Sequence, residues 1–136
     1  PRRTAVGTDF NRVNLLMAVL EKKVGLHLAS SDAYVNIAGV MKMTEPAIDL
    51  GICLAIASSM KDIVIPDKLM AFGEIGLSGE VRAVSMAGQR VQEAKKLGFD
   101  TVILPEVCRN SVEKADGVNL VYVRQIQEAI RYIMSK

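Results

Sequence analysis

GEIGLSGEVRAV (residues 73–84) and TEPAIDLG (residues 44–51) are the two stretches on which the fold turns. The first lies in a hairpin pattern: a strand over residues 69–75, a glycine-bounded turn at 76–79, and a returning strand through Val84. In the second, Thr44 is placed to cap a helix that carries Pro46 in its first turn and runs to about Met60. That helix is apolar nearly all round, and Gly51, Ala55 and Ala57 permit close approach. Such a helix is predicted at the centre of the fold.

Helix and strand patterns alternate outward from this pair. Asp9 is placed to cap a helix over residues 10–24, with Val13, Leu16, Met17, Leu20 and Val24 on one face and Gly25 at its end. Residues 33–42 alternate, Val35, Ile37 and Met41 sharing a face, and read as a strand. Behind the hairpin, residues 86–97 form an amphipathic helix with Ser85 as N-cap, Val91, Ala94 and Leu97 inward, and Gly98 closing it. A short buried strand over 101–104 stops at Pro105, residues 107–115 read as a helix, and 118–123 as another strand. A terminal helix over 125–134 puts Ile126, Ala129, Ile130 and Ile133 on one stripe. Helices interspersed with hairpin-forming strands predict a single α+β domain over residues 1–136, with mixed sheets.

Composition narrows the function classes. Half the residues are apolar and about a quarter are charged, as in an ordinary globular domain rather than a disordered one. The two cysteines, Cys53 and Cys108, stand far apart, and with a single His they exclude a conventional multi-ligand zinc site and give no disulfide framework. Cys53 lies in an apolar run and reads as a buried thiol in a reducing, cytoplasmic setting. The longest apolar run, residues 47–57, contains Asp49 and is too short to span a bilayer, so no membrane partner is expected. No signal peptide is evident, and a start at Pro-Arg-Arg rather than Met reads as a fragment of a longer protein.

The helix mouth and the hairpin together resemble the two signature segments of the Lon-type serine–lysine peptidase domain. In that family the mouth reads D-G-P-S-A-G with Ser as nucleophile. A second helix, following a G-E-I-x-L-x-G-x-V hairpin, carries the general-base Lys. Superimposing Pro46 on the family's proline puts Ala47 at the serine, and counting on from Gly73 puts Gly88 at the lysine. Such a dyad needs a hydroxyl at a helix N-terminus, where backbone N–H groups hold the oxyanion, and an amine whose pKa burial has lowered. A methyl group and a hydrogen supply neither. The weak substitutes are Ser85, which also reads as a helix cap, and Lys42, which also reads as a solvated strand-end lysine. Ser58 and Ser59 lie turns away from the mouth, Ser30 and Ser31 sit in a loop, and His27 has no triad spacing. Peptidase activity is not expected, and an unconventional peptidase is the alternative.

Glu45 and Asp49 share a helical face in the first turn, either as favourable charges at the helix dipole or as interface or pocket carboxylates. Asp49 has apolar neighbours, and a buried carboxylate needs partners such as N–H groups or an Arg. GEIGLSG is no phosphate loop: it lacks the Gly-Lys-Ser/Thr ending, and a strand follows it. Two basic clusters, Arg82, Arg90, Lys95 and Lys96 on one side and Arg12, Lys22 and Lys23 on the other, are solvated faces or phosphate contacts. Without interleaved aromatics no base-stacking platform is indicated, so DNA, if held, is held by its backbone.

Four strings carry a second resemblance: PRRTAVGTDFNR (1–12), VNIAGVMKMTEPAIDL (35–50), FGEIGLSGEVRAV (72–84) and AKKLGFDTVILP (94–105). Together they resemble the C-terminal domain of the RadA (Sms) family of bacterial DNA repair proteins. The resemblance implies a Lon proteolytic-domain-like fold of the ribosomal protein S5 domain 2 type, in which loss of the dyad is normal. It also implies a parent protein that is a hexameric, DNA-dependent ATPase in recombination, acting in branch migration or unwinding. ATP with Mg and a structural Zn would belong to the rest of that parent, and no cofactor to this domain. The implied partners are copies of the chain in a hexameric ring, single- or double-stranded DNA, and recombinase proteins.

Overall fold

The computed structural model describes residues 15, 18, 19, 46–113 and 115–135. The predicted strand over 33–42, Thr44, and most of the helix over 10–24 therefore lie outside the described residues. Of that helix, Leu15, Ala18 and Val19 are helical; Val19, just beside the predicted stripe, is the buried one.

Within these bounds the chain runs through a 3-10 turn Pro46–Ile48, helix α1 Asp49–Lys61, strands β1 Leu69–Ala71, β2 Glu74–Ile75 and β3 Val81–Arg82, and helix α2 Ala87–Lys96. Strand β4 Thr101–Pro105, a 3-10 segment Glu106–Ser111, strand β5 Asn119–Val123 and helix α3 Ile126–Met134 complete it. The apolar run after Thr101 becomes the middle strand of a parallel sheet ordered β1-β4-β5, and β2 and β3 form a separate antiparallel pair. The result is α+β with a small parallel sheet, and among the described residues each of the two sheets is of one kind.

Strand periodicity divides the core. Val102 and Leu104 point to one face of β4 and join Phe72, Ala87, Val91, Ala94, Cys108 and Ala115. Ile103 points to the other face and joins α1 and α3, whose predicted stripe Ile126, Ala129, Ile130 and Ile133 is wholly buried. Each fully buried isoleucine there contributes about 2–3 kcal/mol of gross transfer free energy. Helix α1 is central on its inner side, but Ala55 and Ser59 are exposed, so it is not enclosed all round by described residues.

Four sequence expectations are corrected. The strand over 69–75 is broken at Phe72–Gly73, its halves serving different sheets. A side chain at Gly73 (φ 154°) would put Cβ 2.9 Å from Val81 Cγ1 and 3.3 Å from Pro105 Cγ, so the break depends on glycine. Ser85 is not the cap of α2: Met86 stands there in a left-handed conformation (φ 60°) with no side-chain capping bond. Leu97, predicted inward, is 68% exposed. The cause is a Schellman ending, with Gly98 N–H donating to Lys95 O and Phe99 N–H to Ala94 O, which turns Phe99 inward in place of Leu97. Finally, the helix expected over 107–115 is replaced by the 3-10 segment Glu106–Ser111, after which Val112 is extended. Eclipsed i,i+3 side chains suit the Glu106–Arg109 ion pair in that segment.

Candidate functional site: the mouth of helix α1

Three hydrogen bonds sew the start of α1 to the broken strand. Ala47 C=O accepts from Gly73 N–H (2.8 Å), and Leu50 N–H donates to Gly73 C=O (2.9 Å). Asp49 Oδ2 accepts from Ile75 N–H at 3.1 Å. The N-cap residue Ile48 makes no side-chain capping bond, so the neighbouring chain rather than a cap side chain meets the helix end here. Asp49 is 1% exposed, the one charged side chain among the buried residues described, and it sits in the first turn where the helix dipole favours an anion. One turn on, burial first and the Asp49 charge second push the Cys53 thiol far above its ordinary range.

Ala47 and Gly88 are the two positions that the peptidase resemblance assigns to a dyad; the first lies at this mouth and the second in the first turn of α2. Ala47 is buried and brings a methyl group where the peptidase pattern wants a hydroxyl. The Leu50 amide, in the first turn of α1, is already bonded to the Gly73 carbonyl. Gly88 lies in the first turn of α2, and a Cβ added to it would stand 2.9 Å from the Ser111 carbonyl oxygen. Position 88 thus lacks both an amine and the room for the stem that would carry one. Phe72 and Gly73 link the two elements: Gly73 is bonded to the α1 mouth, and the Phe72 ring packs with α2 beneath the Arg90 guanidinium, 6.0 Å away.

Other predicted residues are dispersed. Ser85 is exposed in the turn before α2, and its carbonyl accepts from Arg90 Nε (2.9 Å). Ser58 Oγ donates to the Ala55 carbonyl within α1, far along the helix from its mouth. Lys95 and Lys96 are exposed in the last turn of α2, where their charge complements the helix dipole. Arg82 is held by its neighbour: Nε and Nη2 donate to Glu80 Oε2 at 3.1 and 3.0 Å, while Glu80 Oε1 accepts the Ser78 N–H. Backbone hydrogen bonds, then Arg82, hold the Glu80 carboxyl below its ordinary value. Lys42, Glu45, Arg12, Lys22, Lys23 and His27 lie outside the described residues.

Sequence reasoning missed one feature. Arg109 lies flat over the Tyr122 ring, 4.0 Å from its centroid, and is clamped by Glu106 through Nε (2.6 Å) and Nη2 (2.8 Å). The pair borders a cavity of about 430 Å³ beside β5. The Glu-x-x-Arg spacing was the available signal, but the residue that completes the stack comes from a strand thirteen positions on. Among the described residues no cluster of His, Cys, Asp and Glu could hold a metal ion, and no helix is long and apolar enough to cross a membrane.

Comparison with known proteins adds to this geometry. The family described as subunit ChlI of Mg-chelatase matches residues 2–107. The chain is 50% identical over 131 residues to a Bacillus subtilis (strain 168) protein named DNA repair protein RadA, covering 96% of this chain and 29% of the relative. It is 47% identical over 136 residues to a protein of the same name from Halalkalibacterium halodurans, covering 100% and 30%. For the Streptococcus pneumoniae (R6) protein of that name the identity is 42% over 134 residues, covering 98% and 32%. The chain thus spans less than a third of the length of these curated relatives.

Proposed function

The chain belongs to the family described as subunit ChlI of Mg-chelatase, and from that premise and the vacated dyad we propose that it is a non-catalytic, Lon-like scaffold domain of a RadA-type protein. In this reading it is the C-terminal part of a cytoplasmic, DNA-dependent ATPase that acts in DNA repair and recombination. It helps copies of the parent assemble into a hexameric ring and adds contacts to the DNA backbone. ATP, Mg and a structural Zn belong to the remainder of the parent, and recombinase proteins are its further partners.

The observation that carries the proposal is the pair Ala47 and Gly88. Neither offers a nucleophile or a base, and the second has no space for a longer side chain. The name shared by relatives that are 50% and 47% identical over 96% and 100% of the chain supports the repair setting. Lys95 and Lys96 supply exposed positive charge in the last turn of α2, and phosphate contacts from them would make binding fall steeply with salt. In a ring, six such helix ends directed at one channel would sum, so the small net charge of one copy understates the field.

Two assays test this. The chain is incubated with unfolded casein and a serine-reactive fluorophosphonate; no cleavage and no labelling are expected, and labelling of Ser85 that disappears in Ser85→Ala overturns the non-catalytic assignment. Light scattering measures the assembly state, and anisotropy with single- and double-stranded oligonucleotides is read at two salt concentrations. Absence of low-salt binding by an assembled ring removes the DNA role and leaves a purely structural ring domain.

A further inference from the structure

We draw no further inference here: the strongest candidate, the hairpin tip at residues 76–79 that holds Leu77 out to solvent between β2 and β3, is an apolar surface patch, and nothing in the structure shows what covers it.

Discussion

Replacing Asp49 with Ala removes the acceptor for the Ile75 N–H while leaving that N–H buried between α1 and β2. An orphaned buried donor costs about 1–3 kcal/mol. Loss of an anion from the first turn of a helix adds roughly 0.3–1 kcal/mol. The expected loss is therefore about 2–3 kcal/mol, a large share of the roughly 5–15 kcal/mol that holds a domain together. Urea unfolding followed by far-UV circular dichroism measures it. With a slope of about 1–3 kcal/mol per molar urea, the midpoint should fall by about 1–2 M at unchanged slope. Asp49→Asn keeps an acceptor in nearly the same place and should lose less than half as much. If Asp49→Ala lies within about 0.5 kcal/mol of the parent, or if Asn and Ala are equally damaging, the staple between helix mouth and strand is not what Asp49 provides. Retained stability with altered assembly would instead put the carboxylate at an interface.

Restoring the two dyad residues together, Ala47→Ser with Gly88→Lys, should yield no casein cleavage. It should also cost about 1–3 kcal/mol, because the new Cβ meets the Ser111 carbonyl; measurable hydrolysis would show that only the side chains were missing. The Glu106 carboxyl is held below its ordinary value of 4.5, first by the Arg109 hydrogen bonds. Its folded-state pKa is depressed, so its contribution is fully present above about pH 4.5 and is lost as pH falls through the lower folded value. Glu106→Gln should accordingly flatten the acid limb of a Tm–pH profile and leave the neutral region nearly unchanged, and an unaltered acid limb would refute the assignment. Cys53 and Cys108 are 0% and 3% exposed, and burial pushes the Cys53 thiol upward. Both should react with a disulfide reagent only on unfolding; rapid native-state labelling of Cys53 at pH 8 would contradict that burial.

The order of α1, the hairpin, α2, the short strands and α3 was legible in the chain because each carries its own period. The stripe Ile126, Ala129, Ile130, Ile133 needed no partner to be recognised as a buried face. Ala47 and Gly88 were equally plain, since the absence of a hydroxyl or an amine is a property of the residue itself. Three-dimensional packing decided everything that depends on a distant group. Gly73 breaks a strand because Val81 and Pro105 close over it, and Asp49 is satisfied by an amide twenty-six positions away. Gly88 faces a carbonyl from the β4–β5 crossover, and Arg109 finds its ring on β5. Local periodicity specifies which face of an element is apolar, whereas it is the meeting of elements that specifies which backbone groups are consumed, which are left at an edge, and where a side chain has no room.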